Sequence, residues 1–381
     1  MKKILILAYS DLSYDARVRR QIKWLAENYE VTVVCFKKGV MYQNVTYREI
    51  KLIQLGKLRK ALLAISLLIR VYKLSYWLQH GYYKHLKELS GKGFDLILAN
   101  DLETVPLAYR LSDQGRIKTM LDAHEYSPRH FEERRWFRIF FAPWYYALAK
   151  KYIPRLWAMT TVSEGLALAY EKEFGTKPLL VTNAPAYQSL SPSIVENPIK
   201  LVHHGIVNKS RKLESMIDLM KYLGEGYVLD MYLMIPEYAS ETTISYYKAL
   251  KDQAGKTSNV RVLPHLENDK IVSSINAYDI GVFLLEPINF NYANALPNKL
   301  FDFIQARLAI AIGPTPEMKR LVVDNDLGVV SERFDAKTLA DEIKKLRPED
   351  ISKYKDNSNK AANELSEERN KQLLLDLLKD L

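Results

Sequence analysis

Short apolar runs alternate with helical patterns along the whole chain, and this alternation restricts the fold more than any other feature. The first series of runs reads KILILAYS, EVTVVCF, DLILAND, KTMLDAHE, MTTVSE and PLLVTN. The second series reads KLVHHG, VLDMYLMI, NVRVLP, DIGVFLLE, LAIAIG and LGVVS. Such alternation is typical of parallel strands with helical crossovers, whose functional residues gather where the strands end.

The chain is long enough for two domains of ordinary size, since it has 381 residues. Residues 184–200 contain three prolines and three serines, a composition typical of an interdomain linker. We therefore predict an N-terminal Rossmann-like domain over 1–183, a linker over 184–200, a C-terminal Rossmann-like domain over 201–356 and a charged helix over 357–381. The predicted fold class is α/β, with two doubly wound domains that face each other across a cleft.

The positive charge is concentrated in the first half of the chain. The net charge is +10; residues 1–185 contain 30 Lys and Arg against 17 Asp and Glu, and the remainder contains 25 against 28. An anionic partner is therefore expected for the first half, either a membrane or a nucleic acid. The single cysteine, Cys35, lies in an apolar run and has no partner for a disulfide, so we expect an inert buried thiol.

Two segments of the first half combine basic and apolar residues. Residues 57–87 carry seven Lys and Arg among Leu, Ile, Tyr and Trp, and residues 134–157 carry six among nine aromatics. Basic helices with apolar faces are what binding at a membrane surface requires. The alternative is that both are ordinary amphipathic helices that pack on the sheet. The N-terminal apolar run is too short for a signal peptide, so we expect a cytoplasmic protein, peripheral on the inner face of the cell membrane.

The stretch Asn294-Ala-Leu-Pro-Asn-Lys-Leu-Phe-Asp302 is the most informative motif. It predicts a polar loop, a helix, a strand over Leu308–Ile312 and a second helix with Glu317 in its first turn. A loop that opens a helix beside parallel strands offers unpaired N–H groups and a positive dipole end to a diphosphate. Asp302 follows Asn298 by one helical turn, so both can share one face, where a carboxylate can accept two ribose hydroxyls.

This loop and helix resemble the nucleotide-sugar signature of GT-B glycosyltransferases, in particular the retaining family 4 type, which carries E-x7-E or the variant PNKLFE. Here the motif reads PNKLFDF, with Asp302 in place of the second Glu and Asn294 in place of the first. Asp302 keeps the charge on a shorter side chain, whereas Asn294 removes a charge near the donor sugar. The resemblance implies donor binding by Asn294, Ala295, Leu296, Asn298, Lys299 and Asp302.

The resemblance extends over nearly the whole chain. Residues Tyr14 to Arg19 are similar to the opening D-x-R-V helix of the family, with Ser10-Asp11-Leu12-Ser13 in place of a glycine pair. Taken alone, Asp15 and Arg17 indicate electrostatics at a helix start. Asp122-Ala123-His124-Glu125 matches the D-x-H-E motif, which implies that His124 lies against the donor sugar. The residues assigned to the acceptor side are Ser10, Asp15, Asp101 and Glu125.

Basic residues follow the first strand of the second domain. The resemblance implies that Arg211 and Lys212 hold the diphosphate, where they would offset the charge that develops as the sugar departs. The alternative is that both are solvated cations at a helix end. Gly205 precedes this pair, Ile206 stands where relatives often have Arg, and His265 lies in the loop that frames the base.

No metal-ligand pattern is visible in the sequence. The one D-x-D, Asp324-Asn325-Asp326, follows a predicted helix and not a strand. The resemblance implies metal-independent transfer, so we predict no metal and no cofactor, and a nucleotide-diphosphate sugar as substrate.

The sequence therefore predicts a retaining glycosyltransferase that transfers a sugar to a hydroxyl of a lipid-linked or polysaccharide acceptor, in bacterial surface polysaccharide or glycolipid synthesis. One alternative is a non-catalytic GT-B module that binds a partner glycosyltransferase or a membrane. The second is a nucleic-acid-binding protein, but no recognised motif accompanies the charge, so we predict no nucleic-acid partner.

Overall fold

The computed structural model describes residues 1–237 and 239–381, apart from the side chain of Asp380. The chain divides into two compact units. Unit 1 consists of Met1–Thr182, Asn289–Asn291 and Lys371–Leu381. Unit 2 consists of Asn183–Ile288 and Tyr292–Asn370.

Unit 1 is built on a parallel sheet. Its strands are β1 Lys3–Leu7, β2 Glu30–Cys35, β3 Val45–Glu49, β4 Leu96–Asn100, β5 Lys118–Ala123, β6 Ala158–Thr161 and β7 Leu179–Leu180. Their order is β3-β2-β1-β4-β5-β6-β7, and Leu5 of β1 pairs with Thr32 on one side and Ile97 on the other. Strands β1 and β4 are apolar and buried throughout or nearly so, because helices cover both faces of a parallel sheet.

The helices of unit 1 connect these strands. They are α1 Ala16–Ala26, α2 Lys57–Leu68, α3 Tyr72–Gln79, α4 Tyr83–Leu86, α5 Val105–Leu111, α6 Ala142–Tyr152 and α7 Glu164–Phe174, with a π-helical turn over Phe137–Phe141. Helix α1 begins where the Asp15 side chain accepts a hydrogen bond from the Val18 backbone N–H, an N-cap that satisfies an otherwise unpaired donor. Its residues Val18, Ile22 and Leu25 follow the helical spacing and are fully buried.

Unit 2 is built on a second parallel sheet. Its strands are β8 Ile199–Ile206, β9 Tyr227–Met234, β10 Val260–Pro264, β11 Ile280–Phe283, β12 Ala309–Ile312 and β13 Gly328–Val330, in the order β10-β9-β8-β11-β12-β13. Its helices are α8 Glu214–Leu223, α9 Glu241–Gly255, α10 Ile271–Ile275, α12 Asn298–Gln305, α13 Pro316–Asp324, α14 Ala336–Lys344 and α15 Pro348–Ala361, while α11 Phe290–Ala293 and α16 Glu367–Leu377 each have residues in both units. The α/β class predicted from the alternating pattern is confirmed in both units.

The C-terminal segment begins its helical structure earlier than the sequence pattern indicates. We expected one charged helix from residue 357, but α15 already begins at Pro348 and a second helix follows it. Proline is compatible with the first helical position, where its missing N–H has no intrahelical partner. The Arg347 backbone N–H donates to the Asp350 carboxylate at 3.0 Å and closes the helix start. Residues Lys371–Leu381 belong to unit 1.

Of the two segments predicted to contact a membrane, 57–87 and 134–157, the second has most of its aromatic side chains covered. The aromatics of residues 134–157 were expected to contact a membrane, but Phe137, Trp144 and Tyr145 are buried, and Phe140 and Phe141 pack against the core. For these five rings the alternative interpretation, packing on the sheet, is correct, because their neighbours in three dimensions cover them. Trp136 stays exposed.

Helix α2, in the other predicted segment over 57–87, carries an exposed apolar face. Four aliphatic side chains project outward at helical spacing: Leu58 is 76% exposed, Leu62 45%, Ile65 54% and Ile69 62%. We call these four residues the α2 stripe. The opposite face of α2 buries Leu63, Ser66 and Leu67. No helix within the described residues combines the length and the apolar character that crossing a bilayer would require.

Candidate functional site

A buried carboxylate organises the carboxyl ends of the strands in unit 1. Asp122, near the end of β5, is fully buried. Arg17 donates to both of its oxygens at 2.6 Å, Thr160 Oγ1 donates at 2.7 Å, and Gln21 also donates to it. Burial alone would raise the pKa of Asp122, but the charge of Arg17 and the hydrogen bonds hold it well below its usual range. Asp122 is therefore an anion that fixes the residues around it.

His124 follows Asp122 and lies between two carboxylates. Its Nε2 is 3.1 Å from Asp122 Oδ2, and its Nδ1 is 3.3 Å from Asp101 Oδ2. Burial would lower the pKa of His124, but the charges of Asp101 and Asp122 outweigh it and raise the pKa to about 9. His124 is therefore a cation at neutral pH, with both ring nitrogens directed at carboxylates.

Asp101, directly after β4, is held in a strained conformation. Its φ of 60° and ψ of 157° lie in a region that is nearly confined to glycine. In this conformation its Oδ1 accepts the His124 backbone N–H at 3.0 Å. Burial raises the pKa of Asp101 to about 6 against the opposing charge of His124. The strain is therefore compensated by a contact that orients the His124 backbone.

The remaining acceptor-side predictions have different surroundings. Asp15 is the N-cap of α1, as the electrostatic interpretation indicated. Glu125 forms an ion pair with His130 at 2.7 Å. Ser10 Oγ is buried and has no hydrogen-bond partner in the described part of the chain, and the same holds for both side-chain polar atoms of Asn100 and for Ser163 Oγ. Buried polar groups require partners, so these atoms at the strand ends are available to a substrate or to water.

In unit 2, Lys299 lies buried beneath the end of β8. Gly205 has φ 143°, and a Cβ added there would lie 3.1 Å from Lys299 Nζ, so glycine leaves room for the ammonium. Lys299 Nζ is 3.2 Å from His203 Nε2 and 3.9 Å from the centre of the Phe283 ring. Burial, reinforced by the charge of Arg211, lowers the pKa of Lys299 well below its ordinary value, although Asp302 opposes this.

Asp302 lies on the same helix as Lys299, in the second turn of α12. It is 8% exposed, and its Oδ2 is 3.4 Å from His204 Nε2. Burial and the charge of Lys299 lower the pKa of His204 to about 3, so this ring is neutral at physiological pH. Asn298, one turn earlier, is the exposed first residue of α12. The motif therefore presents one exposed amide and one nearly buried carboxylate.

The predicted diphosphate pair lies near these residues. Arg211 ends a short helical turn over Lys209–Arg211, which follows β8, and its charge contributes to the lowered pKa of Lys299. Lys212 follows with φ 47° and forms an ion pair with Glu286. The guanidinium of Arg211, which stays protonated, gives the segment after β8 a positive potential suited to phosphate oxygens.

The other predicted donor residues line the connection around α12 or lie on another loop. Asn294 and Ala295 are half-buried and Leu296 is buried, in the segment between α11 and α12. His265 is exposed directly after β10. Because β10 and β8 are parallel strands of one sheet, His265 and Gly205 lie at the same edge of that sheet. Within the described residues, no group of three or more His, Cys, Asp or Glu is arranged to hold a metal ion.

The sequence missed two features of these sites. In the sequence, Arg17 looked like a charge at a helix start, because it follows the N-cap residue Asp15 by two positions. The structure instead buries Arg17 against Asp122, a partner far away in the chain. The contact between Lys299 and His203 was also missed, because it joins a helix to a strand far apart in the chain. The signal available for both was a charged residue at a position where the helix pattern demands a buried one.

Similarity to known proteins is found at the level of the fold and not at the level of the sequence. No protein-family model matches the chain, and no curated protein matches it. HepE from Anabaena in complex with UDP aligns with a TM-score of 0.71 over 100% of both chains, at 14% sequence identity.

Two further structures align over nearly their whole length. Sucrose-phosphate synthase from Thermosynechococcus elongatus gives a TM-score of 0.72 over 100% of this chain and 99% of that chain, at 11% identity. The UDP-forming α,α-trehalose-phosphate synthase from Burkholderia vietnamiensis gives 0.68 over 100% of both, at 10% identity. At such low identity the likeness is one of fold. The chain therefore has the GT-B fold that these glycosyltransferases share.

Proposed function

We propose that the protein is a glycosyltransferase that uses a nucleotide-diphosphate sugar. The observation that carries the proposal is the group at the carboxyl end of β8. There a nearly buried carboxylate, Asp302, lies 3.4 Å from His204 and on the same short helix as Lys299, whose Nζ lies against Gly205 at the end of β8. A carboxylate for ribose hydroxyls beside cations for a diphosphate is the arrangement that a nucleotide-sugar donor needs.

The structural neighbours suggest the first donor to test. HepE has been solved with UDP and with UDP-glucose, and these ligands belong to that protein. For this chain we propose a uridine diphosphate sugar as the first candidate, with a hexose as the transferred group. The His265 loop, which the family resemblance places beside the base, is the part of the donor side that would distinguish uracil from other bases.

We also propose that transfer proceeds with retention and without a metal. His124 is a cation held by Asp101 and Asp122, so it lacks the free lone pair that a general base requires. Its role in the proposal is to place a fixed positive charge at the end of β5, beside the substrate, while both of its ring N–H groups stay on the two carboxylates. The departing phosphate would then accept the proton of the acceptor hydroxyl, while Arg211 and Lys212 stabilise the charge that develops on it.

The test is a ligand screen followed by a transfer assay. UDP, GDP, ADP, CMP and dTDP are titrated while the melting temperature is recorded, because a ligand that binds the native state raises its stability. The proposal expects a shift with one of the diphosphates and turnover of the matching nucleotide sugar. Binding without hydrolysis or transfer across a sugar panel would favour the alternative, a non-catalytic GT-B module, which the Asn at position 294 also favours.

The setting we propose is the inner face of a bacterial membrane, with a lipid-linked or polysaccharide acceptor. The specific observation is the α2 stripe, which leaves four aliphatic side chains in water on a helix that also carries Lys57, Arg59 and Lys60. Each cation near an anionic bilayer contributes about 1 kcal/mol, and buried aliphatic area adds a share that salt does not weaken.

Vesicle co-sedimentation tests this membrane contact. Binding should require anionic lipid, decrease at high salt, and decrease further in the double variant Leu62→Ser and Ile65→Ser. Leu168→Ser, which removes a side chain that is 54% exposed on α7, is the matched control and should bind like the wild type. Equal binding to neutral and anionic vesicles would remove the membrane from the proposal and leave a soluble acceptor.

A further inference from the structure

Unit 1 contains a cavity with a strongly positive lining. Its volume is ≈ 670 Å³, and it is bordered by the connection from α2 to α3, the segment after β5, and helices α6 and α7. The charged residues that line it are Arg70, Arg129, Arg138, Lys172 and Glu173. Four cations against one carboxylate, in a volume typical of small-ligand sites, suit an anionic group.

Two of these cations already have partners. Arg129 forms an ion pair with Glu132 and lies 4.4 Å from the centre of the Phe290 ring. Arg138 Nη1 donates to the Glu132 carbonyl at 2.7 Å. The carboxylate in the lining is also engaged, since Glu173 bonds the hydroxyl of Tyr146. These contacts hold one side of the cavity in place.

The other two cations have no partner. Within residues 1–237 and 239–381, the side chains of Arg70 and Lys172 form neither a hydrogen bond nor an ion pair, and Arg70 and Lys172 are both exposed. An uncommitted guanidinium and an uncommitted ammonium beside one cavity can contact two oxygens of a phosphate or diphosphate without first breaking an existing bond.

The backbone of Arg70 is in a conformation that usually belongs to glycine. Its φ is 59°, directly after α2 and Ile69, at the position where many helices end in a left-handed residue. A side chain with a Cβ is disfavoured there. This conformation closes a Schellman cap, in which the Val71 N–H donates to the Ser66 carbonyl at 2.8 Å and the Arg70 N–H donates to the Leu67 carbonyl at 3.2 Å, so glycine can replace Arg70 without loss of the helix end.

The cavity also adjoins the apolar surface of α2. Arg70 is the neighbour in sequence of Ile69, the last member of the α2 stripe, and exposed Val71 separates Arg70 from the lining residue Tyr72. Arg70 therefore lies where the row of exposed aliphatic side chains ends, and Lys172 lines the same cavity. A molecule with a phosphate at one end and a hydrocarbon chain at the other matches this order of charge and apolar surface.

We propose that the cavity holds the phosphate or diphosphate group of a lipid, with Arg70 and Lys172 as its direct ligands and the hydrocarbon chain along the α2 stripe. The inference rests on the proposed function, since it names a phosphate-bearing lipid as the acceptor class on unit 1. It differs from general attraction to an anionic bilayer because it requires these two cations and one phosphate at a defined place.

The experiment measures binding of three probes by isothermal titration: inorganic pyrophosphate, dodecyl phosphate and uncharged dodecyl maltoside, each below its micelle concentration. We expect dodecyl phosphate to bind at least tenfold more tightly than either of the others. The double variant Arg70→Gly and Lys172→Ala should weaken dodecyl phosphate binding at least tenfold. Lys92→Ala, which removes one exposed cation from the loop before β4, is the matched control and should change nothing.

Arg70→Gly separates loss of binding from loss of folding. Glycine relieves the strain at this position, so the single variant should unfold at the same or a higher denaturant concentration while binding dodecyl phosphate more weakly. Unchanged dodecyl phosphate affinity in the double variant would overturn the proposal. Pyrophosphate that binds as tightly as dodecyl phosphate would overturn the lipid and leave a free phosphate as the ligand.

Titration with UDP in the same preparation distinguishes this proposal from the proposed function. The residues predicted to bind the nucleotide lie in unit 2, whereas Arg70 and Lys172 lie in unit 1. The double variant should therefore bind UDP like the wild type. Lost dodecyl phosphate binding with UDP binding intact supports the cavity. If no nucleotide binds to any protein but dodecyl phosphate binding still depends on Arg70 and Lys172, the proposed donor fails and the cavity assignment stands.

Discussion

Replacement of Asp302 by alanine tests the assignment on which the proposed donor site depends. The Asp302 carboxylate is 8% exposed and its nearest ring, His204, is neutral because its pKa is lowered to about 3. Its desolvation cost has therefore been met on folding, and ribose hydroxyls would reach an acceptor that has little bound water to displace. Hydrogen bonds to a charged group contribute about 1.5 to 3 kcal/mol each.

Two such bonds, reduced because water can enter the space that alanine leaves, give an expected loss of roughly 2 to 4 kcal/mol in binding of the nucleoside diphosphate. This corresponds to a dissociation constant raised between about 30-fold and about 700-fold, since 1.4 kcal/mol is a factor of ten. Asp302→Asn keeps an acceptor oxygen without the charge and should lie between the wild type and Asp302→Ala.

The assay is isothermal titration with the diphosphate that the screen identifies. Folding is checked by urea denaturation, because Asp302 also supports the charge of Lys299 against burial. Glu196→Ala, which removes an exposed carboxylate of the same unit that pairs with Lys200 at the start of β8, is the control and should leave the affinity unchanged. A folded Asp302→Ala protein whose affinity lies within about twofold of the wild type would refute the ribose assignment.

Three further outcomes are expected. Arg211→Ala should lower turnover more than it lowers the affinity for the nucleoside, as measured by steady-state kinetics and titration. Lys212→Ala should have the smaller effect because Lys212 already pairs with Glu286. Equal losses in nucleoside and nucleoside diphosphate binding would contradict this role. The folded pKa of His124, about 9, lies above its unfolded value, so its contribution to stability, up to about 3 kcal/mol, is full below about pH 6.5 and is lost as pH rises through 9. The free energies of unfolding of the wild type and His124→Gln, measured in urea, should therefore differ more at pH 6 than at pH 10. A difference that does not depend on pH would refute the paired cation. Burial raises the pKa of the Cys35 thiol to about 12. The native protein should therefore resist iodoacetamide and react only after unfolding. Rapid labelling of the folded protein would show that the thiol is accessible.

The exposed and buried parts of the basic helices illustrate what one-dimensional patterns leave open. Residues 134–157 contain more aromatic residues than one buried helix face needs. The sequence could not distinguish whether these rings contact a membrane or the protein core. The structure buries Phe137, Trp144 and Tyr145 among aromatics from other segments, such as the stacked His80 ring beside Trp144. The α2 stripe lies in the other segment that the sequence predicted to contact a membrane, and its four side chains have no such cover.

The sequence by itself determined the class of the fold and the strand and helix that surround Asp302. These features depend on the local periodicity of apolar residues and on turn chemistry, which neighbouring positions encode. Only the tertiary structure decided that Arg17 is buried on Asp122, that Lys299 lies beneath Gly205, and which helix exposes its apolar face. Partners of buried charges and the cover of apolar side chains come from segments distant in the chain, and no local pattern specifies which segments will meet.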